Sequence, residues 1–436
     1  VPGSGGEVDV LSQWTYTEPG PLRLGYFTDE LFAMAGLSPQ KPRVMKMTQL
    51  FWYRSSSAPI GTGANRIASP FDDRDPDAAY ISIAPMHLRG AFWTKLSRPV
   101  SGLMYHGWSS LVPTDNTHTY KLTQPDLRTE FRRLHREVLE PLGPMLLQVP
   151  ARPGDVAYLD SFTAQMFAGR GGYGYMHDEA YLTLLHAQLQ PEVIFEDTIV
   201  QRGLDSYKIL VLADCDVLPA SVAARVHAFQ NRGGLILGDP NTAPTIKPDI
   251  IIPKFTRTNK AVADKAALLV NAAELRKSLD ARYQRFVETT NPEIVPHVRA
   301  AGSSDYVFVV NDQREAGTYV GQHGLVLEAG LPSDGEIALR RANVHVYDLT
   351  ARRAVSTTAC DGLIAWPVSL GPCDGNVFLV TERAIERVRI DVSEQTLLGN
   401  AVSCRIAIAD ATDRPVDAVI PLRVNISDPN GRPAEY

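Results

Sequence analysis

Residues 207–239 read YKILVLADCDVLPASVAARVHAFQNRGGLILGD. An apolar run, Ile209 to Ala213, leads into a helical stretch with Val222, Val226 and Phe229 on one face and Arg225 on another. Gly233-Gly234 supplies the positive φ that ends a helix and turns the chain into a second apolar run, Leu235 to Leu237. Short runs that are apolar throughout are strands buried on both faces, which is the setting of a parallel sheet with helical crossovers. The segment therefore predicts a βαβ unit.

Working outward, residues 151–275 extend that unit. Further strands are expected at Val156–Asp160 and Val193–Phe195, with helices at Glu179–Leu189, Ser221–Arg232 and Ala272–Gln284. Upstream, strand and helix signals alternate. Val8–Tyr16 reads as a strand; Thr28 reads as the N-cap of a helix closed by Gly36, with Asp29 and Glu30 favouring its first turn. Arg43–Tyr53 and Ser101–Tyr105 are strands. Asp77–Leu96 is a helix broken near Pro85, and Pro125–Leu139 is a helix stopped by Pro141. Downstream, YVFVV, GLVLEAG, ANVHVYDL, LIAWPVSL and NVFLVTE are short strands between Gly, Asp and Pro turns, the spacing of an antiparallel sandwich. CRIAIAD and VIPLRVNISD then open a further β domain. The expected organisation is multi-domain α/β plus all-β, with boundaries at 1–150, 151–285, 286–395 and 396–436.

The bulk properties narrow the function. A chain of 436 residues has room for about three domains. Its net charge of −6 gives no long-range attraction to nucleic acid or acidic lipid. No run reaches the ~18 apolar residues of a membrane span. VPGSGGEVDV lacks the pattern of a signal peptide, so the compartment stays open, leaning periplasmic or extracellular. Cys215, Cys360, Cys373 and Cys404 show no metal-ligand spacing; Cys360 and Cys373 flank a strand and either bridge a hairpin or pack as small thiols. GTGAN (61–65) lacks the Lys-Ser/Thr of a phosphate loop, and GRGGYG (169–174) lacks the rest of a dinucleotide fingerprint. No metal and no organic cofactor is expected.

Element order and two motifs, VMKMTQLFWYR (44–54) and LMYHGWSS (103–110), resemble the bacterial β-galactosidase-like glycoside hydrolases. The resemblance implies the C-terminal part of a (β/α)8 barrel, with LMYHGWSS as its eighth strand. It also implies a doubly wound, flavodoxin-like or amidotransferase-like domain used for trimerisation, then a β-sandwich that starts near SSDYVFVVND (303–312). It further implies a carbohydrate substrate and a homo-oligomer assembled through the α/β domain. Glutamine amidotransferases carry a nucleophilic cysteine at a sharp strand-to-helix turn; the matching turn, LGDPN (237–241), holds Asp239, and Cys215 has no evident base.

Retaining hydrolysis needs two carboxyl groups about 5–5.5 Å apart, at the C-terminal ends of barrel strands. The resemblance implies that one follows strand seven, where MTQLF offers Gln49, an amide. Glu18, in WTYTEPGP, is the remaining acid at a strand end, as a catalytic or sugar-binding carboxylate or as an exposed turn residue. Trp108 can lie flat beneath a pyranose or plug the barrel end. Tyr105 and His106 stand beside it, and Trp14, Trp52, Tyr53 and Arg54 are expected on the same rim. His177 and Asp178 belong to a Gly/Tyr-rich loop that either covers the site or merely connects. Two functions remain open: a glycoside hydrolase, or a catalytically silent glycan-binding scaffold.

Overall fold

The computed structural model describes residues 8–15, 20–53, 79–111, 120, 122–167, 178–253, 255, 258, 261–320, 326–393, 395, 397 and 399–433. Mixed α/β layers are followed by antiparallel β-sheets. The first layer holds β1 (Val10–Thr15), α1 (Arg23–Leu37), β2 (Arg43–Gln49), β3 (Phe51–Tyr53), β4 (Tyr80–Ser82), α2 (Pro85–Leu96) and β5 (Gly102–His106). β1, β2 and β5 pair in parallel with β2 central, and β3 pairs with β4 antiparallel. The strand expected over Arg43–Tyr53 is thus two strands parted at Leu50.

Several local expectations are corrected here. α1 begins at Arg23, ahead of Thr28, which sits inside the helix with its hydroxyl bonded back to the Leu24 carbonyl. The expected helix from Asp77 is strand β4 followed by α2, whose first residue is Pro85. Proline is tolerated there because the first-turn N–H groups have no intrahelical partner. Pro141 does not stop the next helix, α3, which runs through Asp126–Arg133, a π-helical turn Leu134–Leu139 and Glu140–Leu146. In the wide turn Glu140 N–H bonds the His135 carbonyl, five residues back, so the ladder is already offset where proline withholds its donor.

The second layer contains β6 (Val156–Leu159), α4 (Phe162–Phe167), α5 (Asp178–His186), β7 (Glu192–Ile194), α6 (Glu196–Arg202), β8 (Ile209–Leu212), α7 (Ala220–Asn231), β9 (Leu235–Gly238), β10 (Ile250–Ile251) and α8 (Ala261–Leu279). All sheet pairs are parallel and the order is β10-β9-β8-β6-β7, which is the doubly wound order 2-1-3-4-5. ILVL of β8 is buried at every position, and Val222, Val226 and Phe229 are the buried face of α7. Gly233 has φ +93°, and a Cβ on Gly234 would meet the Phe229 ring at 2.3 Å. α8 starts well before the expected Ala272 and ends before Gln284.

The sandwich pairs Val287–Thr289, Ser333–Leu339, Leu363–Leu370 and Thr358–Cys360 in one sheet. The other holds Ile294–Ala301, Ser304–Asn311, Gly375–Thr381, His345–Asp348 and Arg353–Val355. Both are antiparallel, and Val298, Val309, Ile337, Trp366 and Phe378 fill the space between them. Ser304–Asn311 is buried at every position, because its second face packs on the layers before it. Cys373 is a buried free thiol, so no bridge joins it to Cys360; burial pushes that thiol up to about 11. Arg387–Val392 and Cys404–Ala409 form a two-stranded ribbon, whereas the expected strand in VIPLRVNISD is not formed; only Ser427 makes an isolated bridge, to Pro433. Among the described residues, no helix is long and apolar enough to cross a membrane.

Candidate functional site

The site is built on the period-two alternation of β1, β2 and β5. Leu11, Val44 and Leu103 turn toward the α1 side, where Leu31, Ala35 and Val100 pack on them. Lys46 shares that side. It is fully buried, donates to Thr15 Oγ1 at 2.7 Å and Gln13 Oε1 at 3.0 Å, and lies 5.7 Å from the Phe27 ring. Burial lowers its ammonium to about 7 against the opposing pull of Glu30.

The opposite face gathers Trp14, Gln49 and His106 at the C-terminal edge. Gln49 is register-paired with His106, and Trp14 with Met47. Trp14 Nε1 donates to Gln49 Oε1, and Gln49 Nε2 donates to the Phe51 carbonyl at 3.2 Å. The Trp14 and His106 rings lie 4.5 Å apart at 34°, with the indole 48% exposed. The Gln49 amide is therefore fixed in orientation, and the part-exposed indole is braced by the imidazole.

Phe51 extends this edge. Its ring is 5.6 Å from His106 and stacks on Tyr120 at 3.9 Å and 15°, and Tyr53 and Tyr80 close the group. Phe51, Tyr80 and Tyr120 are not among the residues expected at the rim. The alternation within LFWY was the available signal, since it sends Phe51 and Tyr53 to one side and Trp52 to the other. Trp52 is a correction to the expected rim: it is 1% exposed and packs edge-on against His87, 4.8 Å away, so it belongs to the core.

Trp108 and Tyr105 form a separate group. Gly107 takes φ +84° and lets the chain swing out of β5. Trp108, 58% exposed, rests edge-on against Phe131 of α3 at 5.7 Å, and Tyr105 meets that ring at 4.9 Å. Tyr105 thus faces the helices. Burial pushes its hydroxyl upward, and the buried Lys95 ammonium lies 4.6 Å over its ring. Glu18, Arg54 and His177 lie outside the described residues, as does the Asp178 side chain. The described strand ends offer Thr15, Gln49 and His106, with no carboxylate among them.

In the doubly wound sheet the strained turn is Asp214, φ +53°, after β8, rather than LGDPN. Asp214 N–H donates to Asp239 Oδ2 at 3.0 Å, and Asn241 Nδ2 donates to Asp214 Oδ1 at 2.6 Å. Cys215 beside it is buried, and burial followed by Glu196, Asp160, Asp239 and Asp214 pushes its thiol upward, which suppresses the thiolate. Among the described residues no group of three or more His, Cys, Asp or Glu could hold a metal ion.

No protein-family model matches the chain, and no curated protein does. Solved structures do. α-L-Fucosidase isoenzyme 2 from Paenibacillus thiaminolyticus aligns with TM-score 0.52 and 14% identity over 81% of this chain and 62% of that one. A GH42 β-galactosidase from G. stearothermophilus, solved as a catalytic mutant, aligns with TM-score 0.51 and 13% identity over 85% and 59%. The chain thus spans about three fifths of the length of each. At these identities the likeness is one of fold, and the fold is glycoside-hydrolase-like.

Proposed function

We propose that this chain acts on carbohydrate as a β-galactosidase-like glycoside hydrolase, with residues 1–150 as the C-terminal portion of the barrel. The observation that carries the reading is the Trp14–Gln49–His106 edge on a glycoside-hydrolase-like fold. An exposed indole presents a flat apolar surface to the C–H face of a sugar ring, and an oriented amide both donates to and accepts from its hydroxyls. Trp108 adds a second exposed indole at the neighbouring strand end. Hydrolysis requires a pair of carboxyl groups, and Glu18 is this chain's candidate for one of them. The doubly wound, amidotransferase-like layer is the proposed surface for homo-oligomer assembly.

The second reading, a catalytically silent glycan-binding scaffold, is favoured by Gln49, whose amide is no nucleophile toward an anomeric carbon. Calorimetric titration with galactose and lactose, beside turnover of nitrophenyl β-galactoside, separates the two. Binding with turnover that Glu18→Gln abolishes supports the hydrolase. Binding without turnover supports the scaffold, and absence of binding sinks both.

A further inference from the structure

A cleft of about 160 Å³ opens where α1, the β7 edge of the doubly wound sheet and the sandwich strand Ile294–Ala301 meet. Its charged lining is Asp29, Arg98, Arg152, Glu192, Arg202 and the imidazole of His297. Asp29 and Arg98 spend their charges on each other. Arg98 Nε donates to Asp29 Oδ1 at 3.0 Å, and the guanidinium also donates to Tyr181 Oη at 2.9 Å and the Thr94 carbonyl at 3.0 Å. The first-turn dipole role expected for Asp29 is corrected: α1 starts at Arg23, so Asp29 lies mid-helix and is a half-buried ion-pair partner. Gly25 makes room, since a Cβ there would lie 2.6 Å from an Arg98 nitrogen.

The other two arginines are differently placed. Arg152 Cζ lies 3.6 Å from the centroid of the Phe286 ring, a cation–π contact that leaves its N–H groups for an acceptor. No described residue accepts a hydrogen bond from them. Arg202 gives one N–H to the Gly36 carbonyl and keeps the rest. Burial, with Arg98 and Arg299 nearby, holds His297 well below the usual histidine range, as a neutral ring with one N–H to give. Burial raises the Glu192 carboxyl while Tyr207 and Arg202 pull it back, so this carboxylate shares Arg202 with any bound anion.

We infer that this three-layer cleft binds a small oxyanion, held by the guanidinium edges of Arg152 and Arg202 with His297 behind them. The volume admits sulfate, phosphate or the carboxylate of one acidic sugar. The ligand would bridge α6, the segment before β6 and the sandwich, far in sequence from the aromatic edge, so the inference does not depend on that edge.

The test is calorimetric titration of the full chain with sodium sulfate, inorganic phosphate and glucuronate, each against sodium chloride at matched ionic strength, repeated for Arg152→Gln and Arg202→Gln. The expected result is a saturable isotherm for at least one oxyanion, weakened about tenfold by each substitution. Binding of sulfate and phosphate identifies an inorganic oxyanion site, and binding of glucuronate alone identifies an acidic-sugar site. No saturable binding of any of the three overturns the proposal. So does saturable binding that both variants retain unchanged, since the anion then sits elsewhere.

Discussion

Arg299 Nε donates to the carbonyl of Val149 at 2.9 Å, which ties the first sandwich strands to the end of α3 across 150 residues of sequence. The same buried guanidinium donates to the carbonyls of Leu96 and Arg98 at 3.3 Å each, and to that of Leu146. No carboxylate is hydrogen-bonded to it among the described residues. Its partners are carbonyls at the C-terminal ends of α2 and α3, where helix dipoles leave negative charge. Arg299→Met would strip several buried carbonyls of their donor. The expected loss is about 2–4 kcal/mol of unfolding free energy, read from urea denaturation. Loss of less than about 0.5 kcal/mol would show that those carbonyls find other donors.

A second lock predicts acid lability. Asp312 Oδ2 accepts from Lys265 Nζ at 2.6 Å and from an Arg314 N–H at 3.2 Å, and His186 Nε2 lies 3.6 Å away. Burial alone would raise the Asp312 carboxyl; Arg314, Lys265 and His186 together hold it well below the usual range. Burial lowers His186 to about 4 and His87 to about 3. A histidine whose folded value lies below its unfolded value, about 6.5, stabilises fully above that value and loses the contribution as pH falls toward 4. Asp312 adds a further loss, below the carboxylate range. Thermal midpoints should therefore fall steadily from about pH 7 to about pH 4. His186→Gln should flatten the upper part of that fall by up to about 3 kcal/mol. An unchanged slope would refute the assignment.

Packing between α2 and the sandwich is tested at Gly375. A Cβ there would approach Trp93 at 2.5 Å and the Val309 carbonyl at 2.7 Å, and Trp93 is pinned by its hydrogen bond to Asp374 Oδ1 at 2.8 Å. With neither neighbour able to retreat, Gly375→Ala should cost about 1–3 kcal/mol in chemical denaturation. A neutral substitution would mean that the two layers slide freely.

The parts of the fold that were legible in the sequence were those governed by local pattern. The apolar runs of β6, β8 and β9, the buried face of α7 and the Gly233 stop all follow from periodicity and backbone freedom. Pro141 misled because a neighbouring π turn absorbs its cost, and Thr28 because a cap residue looks the same from sequence when its hydroxyl bonds backward inside a helix. At the site, the strand ends carrying Trp14, Gln49 and His106 could be read, but not which face each side chain takes. A shift of one residue separates Tyr105 from His106 and Trp52 from Phe51. The bonds of Arg299, Arg98 and Asp312 join residues far apart in the chain, which no local pattern encodes.

The two exposed indoles make separable predictions. Trp108 leans on Phe131, away from the Gln49 amide, so Trp108→Ala should weaken galactoside affinity only a few fold, whereas Gln49→Ala, which frees the Trp14 indole nitrogen, should weaken it about tenfold. Competition calorimetry against lactose reads both, and a larger loss at Trp108 would move the sugar to the other group.

The most direct measurement is saturation-transfer NMR of galactose and lactose on the full chain and on Trp14→Ala. The account predicts transfer to ring protons with the native chain and its loss, by about tenfold or more in affinity, with the variant. Equal transfer to both chains, or none to either, would contradict it.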